Sequence, residues 1–496
     1  MSAAHQLAPE AIASQFRTLF DASAWSAVAP LAALSAGVVL CLITDLSRAL
    51  AALRGPLVFA ALAACAWFQV QLLLHPVGVV LRDSLHGDAT SAAFGLLFVA
   101  GGLLAWLASH GYYKRDGQAP LAEHDALLLS AVAGMTLMSA ANDLLVFFIG
   151  LELLSLPLYA LSALRRSRAA SVEAGLKYFL LGAFTSALFL FGCALIYCAT
   201  GSIGLDTLRV LAAPGSLPMG ELALLGSALI AASLLFKLNV FPFHVWVPDV
   251  YQGSPTPVTA LMATGTKAAA FAFLLRASFL LPASASTTLA LLALITLAIG
   301  NLGALVQEDF KRMLAYSGIA HAGTLLLAVA GALGGDPVAN GATRAIVFYL
   351  AAYVFSAGGA FAVLAALEAG GERFTKLENL RGLWQRKPIA ALALALFMLS
   401  LGGIPGAGGF WGKWFVFEVL VRADMTGWAI AGVLMSVLAL AYYLRVIIAL
   451  FMQPTPAGIV APRFERPASL GASLVLCVGA VLLTGLLPGM LLGLLG

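Results

Sequence analysis

Apolar runs of about twenty residues, separated by short polar stretches, recur along the whole chain, and no other feature constrains the fold as strongly. A helix rises about 1.5 Å per residue, so roughly 20 apolar residues cross the hydrocarbon core of a bilayer. Inside that core a helix satisfies all its own backbone hydrogen bonds. The runs predict spans near 26–45, 56–75, 91–110, 125–141, 143–163, 174–199, 220–243, 255–280, 284–306, 311–332, 342–367, 388–422, 426–452 and 469–495, about fourteen in all. Only Asn142 and Asp143 separate the fourth from the fifth. The 388–422 run is too long for a plain span and has Gly402, Gly403, Pro405 and Gly406 in its middle, which reads as a broken helix. With 61% hydrophobic and 10% charged residues in 496, a soluble protein is excluded. The longest charged stretches, 111–125 and 368–387, are too short for a separate core, so the chain reads as one membrane domain.

Cytoplasmic loops of membrane proteins accumulate Lys and Arg. Sixteen such residues follow odd-numbered spans: Arg48, Arg54, Lys114, Arg115, Arg165, Arg166, Arg168, Lys311, Arg312, Arg373, Lys376, Arg381, Arg386, Lys387, Arg463 and Arg466. Six lie in the even loops and the N-terminal segment: Arg17, Arg82, Arg209, Arg276, Arg344 and Arg422. The odd loops are therefore expected in the cytoplasm and both termini on the other face. The N-terminal residues, with Glu10, Arg17 and Asp21, lack the basic start and short apolar core of a signal peptide.

Of the 27 basic residues five remain, Lys177, Lys237, Lys267, Lys413 and Arg445, all inside expected spans, together with one deep acid, Glu152. An ionisable group at mid-membrane costs about 2.5–3.5 kcal/mol, so such residues face the bundle interior and usually serve function. Static ion pairing is the plain alternative, with Lys177, Lys237 or Lys267 as partner to Glu152. It fails to account for the set, because amines outnumber the deep acid. An amine without a carboxylate has to be hydrated or neutral, and one that changes charge can pass a proton.

Lys237 lies five residues before Pro242 and Lys413 eight after Pro405, both close to helix breaks of the kind that bind ions in transporters. Lys267 is flanked by small residues that leave room for water. Lys177 is near a helix start, where it could snorkel to the interface instead. His321 suits a relay between lysines because imidazole titrates near neutrality, with a hydrogen-bonded core histidine as the alternative. Arg445 stays charged and reads as an anchor; Glu418 meets the interface.

Two segments are alike, 178–187 (YFLLGAFTSA) and 348–357 (FYLAAYVFSA), in the sixth and eleventh spans. The broken helices, seventh and twelfth, keep the same offset of five. An odd offset inserts the copies in opposite directions, an inverted-topology repeat.

The stretch 241–260 (FPFHVWVPDVYQGSPTPVTA) closely resembles the signature of the antiporter-like membrane subunits of respiratory complex I, the proton-pumping NADH–quinone oxidoreductase. Its PDVYxGxPT form looks like the subunit N branch. The likeness extends through 309–317 (DFKRMLAYS) and 404–414 (IPGAGGFWGKW), and the chain ends directly after its last span, unlike subunit L with its long lateral helix. The resemblance implies an all-α polytopic membrane protein of about 14 transmembrane helices with two inverted five-helix repeats and two broken helices. The segments would be 1–124, 125–282 and 283–452 (the two half-channel repeats) and 453–496. It carries Glu152 over to the acid of the fifth helix, Lys237 to the broken seventh, Lys267 to the eighth and Lys413 to the broken twelfth, with Lys177 and His321 as further polar-axis positions.

The expected function is proton translocation along these groups, driven by redox chemistry in other subunits. The chain has no GxGxxG and no Cys cluster among its five cysteines, so no cofactor is expected here. NADH, flavin, iron–sulfur clusters and quinone would belong to other subunits. Expected partners are the other membrane subunits of the complex, including related antiporter-like ones, and the lipid of a bacterial inner membrane. No basic tract points to nucleic acid. The rivals are a subunit of a multisubunit Na+/H+ antiporter or of a membrane-bound hydrogenase, a structural scaffold whose lysines tolerate neutral substitution, and a haem cytochrome, which would need paired helix histidines.

Overall fold

A computed structural model describes residues 22–115, 122–212, 220–333, 335–368, 375–455 and 468–494. The N-terminal stretch through residue 21 and the loop charges Arg17, Arg373, Arg463 and Arg466 lie outside them. The principal helices are α1 (Ala22–Ile43), α2 (Arg54–Leu74), α3 (Ala89–Arg115), α4 (Ala122–Ala140), α5 (Leu144–Ser162), α6 (Ala169–Thr200) and α7 (Glu221–Leu238). They continue with α8 (Thr256–Arg276), α9 (Ala285–Leu305), α10 (Phe310–Ala332) and α11 (Ala342–Leu367). The last are α12 (Pro388–Gly402), α13 (Gly408–Arg422), α14 (Thr426–Met452) and α15 (Ala468–Leu486).

Among the described residues twelve helices are long and apolar enough to cross a membrane, against fourteen expected spans. The difference has two local causes. Helix α4 opens on Glu123, His124 and Asp125, which lower its hydropathy. The 388–422 run is split into two fifteen-residue pieces, α12 and α13. One feature was not expected: a small antiparallel hairpin, Gly78–Val80 against Leu85–Gly87.

The boundary between α4 and α5 is made by polar side chains. Asp143 caps α5 by accepting from the backbone N–H of Leu145 and Val146. Asn142 donates to the Asp83 carbonyl and to Asp206, and lies 2.9 Å from His86 Nε2, tying three loops together. Both broken helices end on a left-handed residue, Asn239 (φ 64°) and Gly403 (φ 82°), which stops the helix and turns the chain inward. After Asn239 the chain restarts as a short helix, Val247–Gly253.

With lipid on the outside, burial of apolar area cannot drive helix pairing, and close backbone packing at small residues takes over. A Cβ on Gly134 of α4 would meet the backbone of α5 at Leu154 N, 2.3 Å away. Gly192 and Gly226 bring α6 and α7 together in the same way. Helix α8 is buried along its length and α10 and α11 nearly so, whereas α1, α2, α14 and α15 form the rim. The polar chemistry therefore collects along α8, α10 and α11.

Two residues counted as loop charges belong elsewhere. Lys311 is the second residue of α10, completely buried, and donates to the Ser254 carbonyl at 2.6 Å. Arg276 ends α8 and pairs with Asp88 at 2.6 Å while donating to the Ser139 carbonyl. Sequence position near a span end made both look topogenic; packing at the bundle ends buries them.

Candidate functional site

Lys237 occupies the last turn of α7, two residues before the break, and is 2% exposed. Its Nζ donates to Ser155 Oγ of α5 at 2.8 Å and lies 5.5–5.6 Å from the ring centres of Tyr178 and Tyr159. Ser155 passes its own hydroxyl hydrogen to the Leu151 carbonyl. The rings place their electron-rich faces near the ammonium, a favourable but chargeless environment. Glu152, three residues before Ser155, does not reach Lys237 within 4 Å. It is only half-buried in the chain and accepts from Ser186 Oγ of α6 at 2.5 Å. A deep acid paired directly with the lysine is therefore corrected to a carboxylate on the outer flank, separated from it by Ser155. The hydropathy of α5 sets how far Glu152 lies along the membrane normal, but not which side of the helix it takes.

Lys267 begins the final section of α8, directly after a π-helical turn at Met262–Thr266. Such turns leave carbonyls unpaired within a helix and recur at functional positions. Its Nζ donates to the Gly318 carbonyl of α10 at 2.8 Å and stands 3.5 Å from the Tyr353 hydroxyl of α11. Lys413 of α13 reaches back across the break and donates to the Gly402 carbonyl at the end of α12, at 2.9 Å. It thereby occupies a carbonyl that the interrupted helix leaves without a backbone donor. None of the three lysines has a carboxylate within 4 Å among the described residues.

His321 sits between the latter two. Its Nδ1 lies 2.6 Å from the Tyr349 hydroxyl and its Nε2 3.0 Å from the Tyr443 hydroxyl. The ring also packs on Tyr353, the hydroxyl neighbour of Lys267, with centres 4.9 Å apart. One small void is shared by His321, Thr324, Tyr443 and Lys413, and another by His321, Tyr349, Tyr353 and Ser356. Each is about 10 Å³, roughly one water molecule's worth.

Lys177 is not on this line. It pairs with Glu173 and Asp249 at 2.8 and 2.9 Å, with its side chain 42% exposed. Arg312 completes that cluster on Asp249 at 2.6 Å. Burial disfavours the Asp249 charge, yet the hydrogen bonds from Lys177 and Arg312 hold its carboxyl below the usual range. Arg445 is an anchor as expected: its guanidinium caps the carbonyl end of α9 at Leu305 and Gln307. Glu418 pairs with Arg422 one turn on.

The tyrosine hydroxyls and Ser155 escaped sequence reasoning. Tyr349 and Tyr353 lie one helical turn apart inside the very segment compared as a repeat, and Ser317 and His321 share that spacing on α10. The period-four pattern was the available signal. Lys311 and Glu368 were also missed. Glu368 is 2% exposed, accepts from Thr256 Oγ1 and feels the Lys311 charge, although burial still pushes its carboxyl up. Among the described residues no group of three His, Cys, Asp or Glu is placed to hold a metal ion.

The family model described as NADH:quinone oxidoreductase/Mrp antiporter, transmembrane, matches residues 141–439, which contain every one of these lysines. The chain belongs to this family. Among relatives of this antiporter-like family member, NADH-quinone oxidoreductase subunit N 2 of Roseiflexus castenholzii is 43% identical over 415 residues, 82% of either chain. NADH-quinone oxidoreductase subunit N of Myxococcus xanthus is also 43% identical, over 79% of this chain and 80% of that one. The structure of respiratory complex I from Thermus thermophilus with bound aureothin contains a chain 37% identical. It superposes with a TM-score of 0.78 over 94% of this chain and 98% of that one. The subunit N likeness seen in the PDVYxGxPT stretch is thus matched by the sequence relatives, and the likeness to complex I by structure.

Proposed function

We propose that the chain is a proton-translocating, non-redox membrane subunit of an NADH–quinone oxidoreductase, driven by electron transfer in other subunits. The observation that carries this reading is that Lys237, Lys267 and Lys413 are all buried in the bundle with no carboxylate within 4 Å among the described residues, and with His321 between the last two. Static structural amines would be expected to hold counter-ions, as Lys177 does. Amines bonded only to hydroxyls and carbonyls can release and regain a proton without dismantling an ion pair.

Glu152 sits one turn from Ser155 and within electrostatic reach of Lys237. Its charge, varied by whatever covers that flank, sets the readiness of Lys237 to give up its proton. The proton then passes to Lys267, across His321 to Lys413, and out. The cofactors and quinone belong to other subunits, and the half-exposed Glu152 face fits a neighbouring membrane subunit. Residues 125–282 and 283–452 would act as the two half-channels, with the odd loops in the cytoplasm of an inner membrane.

Lys237→Ala in the assembled complex tests the reading. Proton pumping should vanish and quinone-coupled turnover fall, while NADH reduction of a peripheral artificial acceptor persists. Undiminished pumping in that variant would remove the proposal.

A further inference from the structure

We infer that Tyr349 and Tyr443 clamp His321 as a one-proton switch of defined polarity, so that the two hydroxyls, and not the imidazole alone, determine passage between Lys267 and Lys413. This rests on the proton-transfer reading above. The imidazole of α10 is held at both nitrogens by phenol hydroxyls from different helices, Tyr349 of α11 at Nδ1 and Tyr443 of α14 at Nε2. The Tyr443 oxygen in turn stands 2.5 Å from Ser317 Oγ, one turn back on α10. Among the described residues no carboxylate touches the ring to fix its tautomer, which is the usual arrangement for a histidine with a single role.

A neutral imidazole has one N–H donor and one acceptor nitrogen, whereas a hydroxyl serves as either. The clamp therefore has two complete hydrogen-bonded states. In one, Nδ1–H donates to the Tyr349 oxygen, Tyr443 donates to Nε2, and Ser317 donates to Tyr443. In the other, Nε2–H donates to the Tyr443 oxygen, Tyr349 donates to Nδ1, and Tyr443 no longer donates to the ring but to Ser317. Both ring nitrogens are hydrogen-bonded in both, so neither state leaves the imidazole with a buried unpaired N–H.

One small void is lined by Tyr349 and the other by Tyr443. Tyr353, bonded to Lys267, lines the void on the Tyr349 side, and Lys413 lines the void on the Tyr443 side. A proton leaving the Lys267 ammonium lands on the Tyr349 oxygen, through the void that Tyr349 shares with Tyr353, as Tyr349 passes its own hydrogen to Nδ1 of the Nε2–H tautomer. The Nε2–H bond then breaks: its proton goes to the Tyr443 oxygen, and Tyr443 gives up its own hydrogen towards the Lys413 amine through the void that both line. Lys267 is left neutral, Lys413 charged, and the ring neutral as the Nδ1–H tautomer. A second proton in the same direction must wait until both hydroxyls rotate and the imidazole turns over about its Cβ–Cγ bond, which carries the N–H back to the Tyr443 side without moving a proton backwards. The clamp thus passes one proton per reset.

Removing one hydroxyl should trap the ring. Tyr443→Phe leaves Nε2 without a partner, and since an unpaired N–H is costlier to bury than an unpaired lone pair, the ring rests as Nδ1–H on Tyr349. Tyr349→Phe traps the opposite tautomer, Nε2–H on Tyr443. The test uses the assembled complex in proteoliposomes. Proton pumping and NADH–quinone turnover are measured beside nitrogen-15 solid-state NMR of labelled histidine, with the His321→Asn spectrum subtracted. Both variants should lose pumping-coupled turnover by about tenfold or more and show opposite single tautomers. Tyr316→Phe, on the same helix but outside the clamp, should match the wild type. Wild-type pumping in either clamp variant overturns the inference, and so does a loss of pumping with the tautomer mixture unchanged, which marks a structural role. Lys237→Ala separates the two levels. If it leaves pumping intact the broader reading falls; if it abolishes pumping while both tyrosine variants pump normally, the clamp alone falls.

Discussion

Lys267 rests its amine against Gly318, donating to the carbonyl at 2.8 Å from a place where a Gly318 methyl would stand only 2.5 Å away. The lysine can lie there because α10 has no side chain at that point, and the Tyr353 hydroxyl closes the same niche at 3.1 Å from the methyl position. Gly318→Ala should therefore displace the amine from both partners. We expect coupled turnover to drop roughly tenfold to a hundredfold, as misplacement by about 1 Å does in other sites. Stability should stay within about 1 kcal/mol, because alanine favours the helix. Parallel pumping assays and thermal melts check the separation.

Ser155, not Glu152, is the direct neighbour of Lys237. A double-mutant cycle of Ser155→Ala with Lys237→Met should return a coupling of about 1–3 kcal/mol in thermal stability, the range for residues in contact. The corresponding Glu152→Gln cycle should give less than half of that. Equal couplings would mean that the carboxylate reaches the amine directly.

Lys311 and Glu368 lock the start of α8 to the ends of α10 and α11, through the Ser254 carbonyl and the Thr256 hydroxyl. Lys311→Met leaves the buried Ser254 carbonyl without its donor and should cost about 1–3 kcal/mol, read as a lower melting temperature of the assembled complex.

Asp88 gives a pH dependence outside the membrane. Burial alone would raise its carboxyl, but the Arg276 charge, with hydrogen bonds from Arg276 and Ser91, outweighs this and holds it at about 2. A carboxyl depressed in the folded state contributes stability that is complete above its ordinary value near 4 and disappears as pH falls towards 2. Asp88→Asn should flatten the acid limb of the stability profile in that window and leave its neutral region lower. Melting temperatures from pH 6 down to pH 2 check it.

Much of the site is legible without coordinates. Lys237, Lys267 and Lys413 stand out because lipid tolerates no idle charge, and His321 because few polar residues accompany it. What escapes is the partner set. Lys177 has the same sequence appearance as Lys237, a lone lysine in an apolar run, yet one is answered by Glu173 and Asp249 at the helix margin and the other by a serine and two aromatic rings. Lys311 lies two residues from Asp309 and reads as a loop charge, but the elbow between Val247–Gly253 and α8 closes over it.

The chain's order of apolar runs, breaks and stray amines was enough to determine a multi-pass helical protein and its kinship. These follow from how many residues a bilayer needs and what it rejects, which are properties of the sequence in one dimension. Only the tertiary structure decided which side of each helix faces inward, and hence that Glu152 lies on a flank, that Lys311 is enclosed and that two tyrosines hold His321. Those relations depend on the packing of helices far apart in the chain, where a rotation of 100° per residue separates neighbours that hydropathy treats alike.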